Sequence, residues 1–239
     1  MGTILIIKTG SILDVVKQKY GDFEDLILNQ IGIGKDSANV ISVYKNEPPY
    51  LPRGTSSIII TGSKAMITDE EPWMKVTAAW LKKIYHNNIP VLGICFGHQL
   101  LAYAFGGNVG YHPNGPEYGQ SLIKKVGDVS KDPLFGGLPE EFLGYVAHYQ
   151  SILQLPDQAH VLAASDFEAS HGVKFKNNIW GVQFHPEFNK EIANHYLEYQ
   201  EEVLKSRGYR VEQLSQQIQE PEYGRQILQR LYQYGEQLC

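Results

Sequence analysis

An α/β fold, built on a mixed, mostly parallel sheet with helices on both faces, is what this sequence predicts. Three observations predict it. Up to about residue 108, short and nearly continuous apolar runs alternate with segments of helical periodicity, the pattern of parallel strands covered on both sides. Beyond that point the runs shorten and are split by Gly, Pro, Asn and Asp, which predicts added antiparallel strands and hairpins. From Asn189 onward the periodicity is helical again, which predicts a C-terminal helical tail.

The elements follow in order. "TILIIKTG" opens on an apolar run and closes on a glycine, a buried strand. Ser11 with Asp14 then resembles a helix start with a capping side chain. Ile12, Val16, Tyr20, Phe23 and Ile27 keep helical spacing, and Gly21 divides the segment into two helices. "VISVY" (40–44) and "SIIIT" (57–61) are β-branched strands. "EPWMKVTAAWLKKIYHNN" has Pro72 near its start and a predicted apolar stripe at Trp73, Val76, Trp80 and Ile84. "IPVLGI" (89–94) is a strand and "FGHQLLAYAF" (96–105) a helix. "YGQSLIKKV", "EFLGYVAHY", "AHVLAAS", "HGVKFKN" and "NIWGVQF" are the short strands of the second half. In the tail, Ile227, Leu231, Tyr234 and Leu238 form an amphipathic stripe. No internal repeat or long linker interrupts the chain. The reading is a domain over 1–188 and a helical extension over 189–239 that packs on it.

Composition narrows the function classes. The 239 residues are 43% hydrophobic and 20% charged, ordinary for a soluble globular protein with a substantial core. A net charge of −5 without a Lys/Arg run argues against nucleic acid and anionic membranes as partners. The longest early apolar run, "ILII" (4–7), is too short for a signal-peptide core or a membrane span. Ile6 breaks the myristoylation pattern, and Cys239 is terminal, outside any prenylation box. A cytoplasmic location is the expectation. Cys95 and Cys239 are too far apart for a disulfide framework or metal-pair spacing, so neither metal nor cofactor is expected. "GIGKDS" (32–37) lacks the first glycine of a phosphate loop, where Asn29 stands, and has Asp36 for the required Ser or Thr. It reads as a polar turn.

Cys95 sits in "PVLGICFGHQLLAYAFGG" (90–107), where a strand runs straight into Gly-x-Cys-x-Gly and then a helix. That is the layout of a nucleophile elbow: small flanking residues permit the tight turn, and the helix N-terminus offers N–H donors to an oxyanion. A buried structural cysteine fits the same stretch. A thiol nucleophile needs a base and an orienter. "WGVQFHPEF" (180–188) supplies His185 and Glu187 two positions apart, on one face of an extended segment, with Pro186 excluding a helix interior. Alone, that stretch is equally well a solvated loop.

Together, "GICFGHQ" and "GVQFHPE" resemble the class I glutamine amidotransferases, whose pattern is a Gly-x-Cys-x-Gly-x-Gln elbow followed by a later His-Pro-Glu. "IIITGSKAMITDEEPWM", "DPLFGGLPEEF", "AHYQSILQLP" and "AHVLAAS" fall in the family's order, so the resemblance spans roughly residues 3–188. It is closest to standalone proteins similar to the glutaminase domain of GMP synthase. The resemblance implies a flavodoxin-like sheet and a Cys95–His185–Glu187 triad. Cys95 would attack the side-chain amide of glutamine, release ammonia and form a glutamyl thioester. It further implies an oxyanion hole from Phe96 and the Gly62–Ser63 loop, with Gln99 and Ser151 binding substrate. Two departures stand out. "TGSK" replaces the Ser-Gly-Gly-Pro of many members, and "HYQS" replaces the His-Gly-Asp of GMP synthases, which argues against GMP synthesis itself.

His148, at the end of a predicted strand, is the rival base and lacks a carboxylate two residues away; His98 is expected to be structural or solvent-facing. Three functions stay open. The chain could pass ammonia from glutamine to a synthase partner in trans, cleave a γ-glutamyl peptide or amide alone, or keep the fold as a non-catalytic regulator. No Ser-Gly-Gly-x-Asp-Ser pyrophosphatase loop appears, so no ATP-dependent synthetase half is expected on this chain. The sequence determines neither the ammonia acceptor nor the oligomeric state.

Overall fold

A computed structural model describes residues 2–176 and 178–239. Nine strands form one sheet. β1 (Thr3–Lys8), β2 (Ala38–Ser42), β3 (Thr55–Ile60), β4 (Val91–Ile94) and β11 (Ile179–Val182) run parallel in the order β2-β1-β3-β4-β11. β10 (Gly172–Lys176), β9 (His160–Ala164), β6 (Glu117–Lys125) and β7 (Glu141–His148) continue it in antiparallel fashion. β5 (Asn108–Tyr111) and β8 (Gln150–Gln154) make a separate small ribbon. β11 differs from the simple hairpin its sequence predicted. It pairs antiparallel with β10 but parallel with β4, because a fully apolar, fully buried strand is suited to the sheet centre.

The helices are α1 (Asp14–Tyr20), α2 (Phe23–Ile31), α3 (Pro72–Ile84), α4 (Phe96–Ala104), α5 (Lys190–Tyr199), α6 (Glu201–Ser206), α7 (Val211–Gln217) and α8 (Gly224–Leu238). Apolar clusters fill the two faces of the sheet. α3 and α4 bury their residues with one face of β1, β3 and β4, and α2 and α8 with the other. A third cluster joins α1 and α2 to α5, α6 and α7.

Local details depart from the sequence expectations for identifiable reasons. Ser11 does not cap α1; its hydroxyl donates to Asp22 at 2.5 Å, and Asp22 instead caps α2 in a reciprocal arrangement with Asp25. Asp22 also receives Lys8 at 2.7 Å and Lys17 at 2.9 Å, so one buried carboxylate ties the end of β1 to two helices. The buried face of α3 is Trp73, Met74, Thr77, Ala78, Leu81 and Ile84; Val76 points to solvent, because polar Thr77 bonds the Trp73 carbonyl at 2.7 Å and so tolerates burial. In α8, Ile227, Leu228, Leu231 and Gly235 are buried while Leu238 is exposed. Gly235 lies where a side chain would strike the Ser56 carbonyl of β3. "GIGKDS" is the predicted polar turn, with Gly32 left-handed at the end of α2. Among the described residues, no helix is long and apolar enough to cross a membrane, and no group of three or more His, Cys, Asp or Glu could hold a metal ion.

Candidate active site

Cys95 stands between β4 and α4, at the carboxyl end of the parallel strands. Its backbone has φ 50° and ψ −103°, a conformation rare for a side-chain-bearing residue and of the kind that costs about 1–3 kcal/mol. The neighbouring glycines make the corner possible. A Cβ at Gly93 would collide with the carbonyl of Gly97, and one at Gly97 with the carbonyl of Ile60 on β3. The helix therefore starts directly against the sheet. The Cys95 N–H donates to the Val182 carbonyl at 2.8 Å, which fastens the corner to β11. Phe96 occupies the first position of α4, where a helix has no earlier carbonyl to receive the N–H.

β11 leads into the segment that carries His185. The His185 N–H donates to the Tyr145 carbonyl of β7 at 2.8 Å. Its Nδ1 lies 2.8 Å from Oε1 of Glu187, and both residues are buried. Phe188 stacks on the imidazole at a ring distance of 4.0 Å and 9° of tilt, with Phe23 of α2 at 6.5 Å. Burial opposes charge on this imidazole. The Glu187 carboxylate and the adjacent Cys95 sulfur outweigh it, and the His185 pKa is pushed up to about 10. Gly62 lies beside the ring, where a Cβ would come within 3.1 Å of Cε1.

Cys95, Phe96, His185, Ser63 and Gln99 all line one cleft of about 170 Å³. Its floor is buried, with Gln99, His148 and Gln150; its rim is open, with Lys64 and Tyr199 exposed. The cysteine thiol donates a long bond to the Ala147 carbonyl at 3.9 Å. The Ser63 hydroxyl accepts the Ala65 N–H at 3.1 Å and holds the loop after β3 in a turn, while the Gly62 carbonyl faces inward to the hydroxyls of Thr9 and Thr61. Gln99 reaches the cleft, but its amide nitrogen is committed to the Gln150 carbonyl at 2.6 Å and to Gln183 at 2.9 Å. Only its oxygen is left to meet a ligand. Ser151 is not brought to the cleft. Side chains alternate along β8, so Gln150 faces the cleft and Ser151 is buried behind it.

His148 lines the same cleft and does have a carboxylate partner, Glu117 on β6 at 2.9 Å. Its other nitrogen lies 3.1 Å from the Gln150 carbonyl. Both ring nitrogens are thus occupied, whereas His185 keeps Nε2 clear of protein oxygens among the described residues. His98 is fully buried against Phe175, and burial pulls its pKa down to about 3; it is structural. The cleft residues that sequence reasoning missed come from elsewhere in the chain. The lining residues Tyr196 and Tyr199 come from α5 and Gln200 directly follows it, and Glu117, the partner of His148 behind the cleft, is 31 positions before that histidine, so no short spacing signals them.

The family model for glutamine amidotransferase class-I matches residues 39–203. The chain belongs to the class-I glutamine amidotransferase family. This amidotransferase-family chain is 30% identical over 186 residues to gamma-glutamyl peptidase 5 of Arabidopsis thaliana, covering 74% of the chain and 72% of that protein. It is 40% identical over 119 residues to a subunit of the glutamine-hydrolyzing GMP synthase of Methanocaldococcus jannaschii, covering 49% of the chain and 58% of that protein. A solved glutamine amidotransferase from Thermotoga maritima shares the fold, with a TM-score of 0.72 at 21% identity over 99% of this chain and 97% of that one.

Proposed function

We propose that the chain is a cysteine-dependent hydrolase of γ-glutamyl amides, with the side-chain amide of glutamine as the minimal substrate. The observation that carries this reading is the strained Cys95 corner opening into the same cleft as the His185–Glu187 pair. His185, charged through its pairing with Glu187, already holds the Cys95 proton on Nε2 when the sulfur adds to the γ-carbonyl carbon, and Glu187 keeps the proton on Nδ1 in place. The N–H groups of Phe96 and Ser63 receive the negative oxygen. Collapse breaks the C–N bond, His185 returns the proton to the leaving amine, and a glutamyl thioester stays on Cys95. Water, deprotonated by His185, then releases glutamate and the thiol. Ammonia made from glutamine would be handed to a synthase partner, in keeping with the likeness to the glutamine-hydrolyzing GMP synthase of M. jannaschii.

A second reading has a specific observation in its favour. The Arabidopsis relative is a gamma-glutamyl peptidase, and the match spans nearly three quarters of both chains. The same chemistry then expels a peptide amine instead of ammonia. The test is glutamate release from glutamine and from γ-glutamyl dipeptides by the wild type and by Cys95→Ala. Thiol-dependent release from either supports the hydrolase; no release from both, with the fold intact, supports a non-catalytic protein.

A further inference from the structure

The rim of the Cys95 cleft differs from its floor in chemistry as well as exposure. The protein carries a net charge of −5, yet no Asp or Glu lines the cleft among the described residues. Glu117 and Glu187 lie behind it, each bonded to a histidine. Among the described residues Lys64 is the one lysine or arginine lining it, and it follows Ser63, whose N–H faces the developing oxyanion in the proposed mechanism. Its ammonium sits 6.0 Å from the Tyr199 ring centroid and has no carboxylate partner among the described residues. The acids nearest in sequence are committed elsewhere: Asp69 accepts the Met66 N–H at 3.2 Å, and Glu70 pairs with Lys75 at 2.8 Å. Around Lys64 the rim is built from Tyr149, Tyr199 and Gln200. The Tyr149 hydroxyl donates to the Gln200 side-chain oxygen at 2.8 Å, which leaves the Gln200 amide N–H groups free for a further acceptor.

Ammonia needs none of this. A leaving amine departs toward solvent, so its substituents pass the rim while the glutamyl group stays on the buried floor. A cation, amide N–H groups and aromatic faces there suit an amino acid or short peptide with a free carboxylate. Resting on the γ-glutamyl hydrolase reading above, we propose that Lys64 is a specificity-determining residue that binds the carboxylate of a peptidic leaving group, which makes γ-glutamyl peptides preferred over glutamine. The bond cleaved is the same γ-amide; the amine leaves with the proton returned by His185, and the acyl group remains on Cys95 until water removes it.

The experiment compares kcat/KM of the purified full chain for γ-glutamylphenylalanine, its C-terminal amide and glutamine, in the wild type, Lys64→Met and Lys64→Arg. The wild type favours the acid over its amide. Lys64→Met lowers the acid-to-amide ratio roughly fivefold, the scale of one partly exposed ion pair, and Lys64→Arg restores it. Rising salt erodes the wild-type preference and leaves the Lys64→Met ratio flat. Equal turnover of acid and amide by the wild type overturns the proposal. So does an equal drop on all three substrates in Lys64→Met, which would put Lys64 on the glutamyl α-carboxylate. In both cases the hydrolase reading stands. It falls only if none of the three substrates is cleaved in a Cys95-dependent way.

Discussion

Replacing Glu187 with Gln keeps an oxygen to receive the His185 Nδ1 proton but removes the charge. The buried imidazole of His185 has a pKa of about 10, against about 6.5 for an ordinary histidine. Each pH unit of that gap is about 1.4 kcal/mol, so the charged pairing stabilises the folded chain by at most roughly 5 kcal/mol. Partial relaxation around a buried pair brings the expected loss in Glu187→Gln to about 3 kcal/mol. The sign follows from the raised pKa. Below about pH 6.5 both folded and unfolded chains hold the proton and the full stabilisation is present; it is lost as pH rises through about 10. In Glu187→Gln only the Cys95 sulfur still opposes the burial, so the His185 pKa falls and the charge-dependent stabilisation at acid pH shrinks. Urea unfolding of both proteins between about pH 6 and pH 10 measures the difference. The gap should be largest near about pH 6 and shrink toward about pH 10. A gap that is constant with pH, or that grows with it, would refute the assignment of a charged His185–Glu187 pair.

His185→Asn should lower γ-glutamyl hydrolysis by at least about 10³-fold, while His148→Asn, whose ring nitrogens are both occupied, should lose far less; steady-state kinetics on glutamine decide between them. Gly97→Ala forces a methyl group into the Ile60 carbonyl and should cost about 1–3 kcal/mol in urea unfolding, with the thiol corner displaced and activity lost with it. Burial pushes the Asp22 pKa up, but Lys8, Ser11, the Ile12 N–H and Lys17 together hold it well below the usual carboxylate range. Asp22 therefore stabilises the fold above about pH 4 and loses that contribution as pH falls further. Asp22→Asn should lower stability at about pH 7 by about 3–5 kcal/mol and flatten the acid limb of the stability profile, read by urea unfolding across pH.

Much of the fold was legible because burial writes itself into period and run length. The strand at 3–8, the helix break at Gly21, and the strand–Cys–helix corner all follow from residues within one element. What the sequence did not show depends on distant pairing. β5 and β8 are short and gain their partner only from each other. The parallel pairing of β11 with β4 is set by the sheet centre and not by the hairpin to β10. The same divide runs through the site. His185 and Glu187 sit two residues apart, so their bond could be read from spacing; the His148–Glu117 bond crosses from β7 to β6 and could not. The placement of Ser151 behind the cleft turns on strand alternation next to a site whose direction only the folded ribbon reveals. The four-residue reach from Cys95 to Gln99 was legible, but not that Gln150 and Gln183 use up the Gln99 amide.

In the proposed mechanism Cys95 carries a glutamyl thioester. Acid-quenching the enzyme during turnover of glutamine or a γ-glutamyl dipeptide and measuring the intact mass tests it directly. A glutamyl adduct, mapped by peptide digestion to the Cys95 segment, should accumulate in the wild type and be absent in Cys95→Ala. Turnover with no adduct on Cys95, or turnover that survives Cys95→Ala, would contradict it.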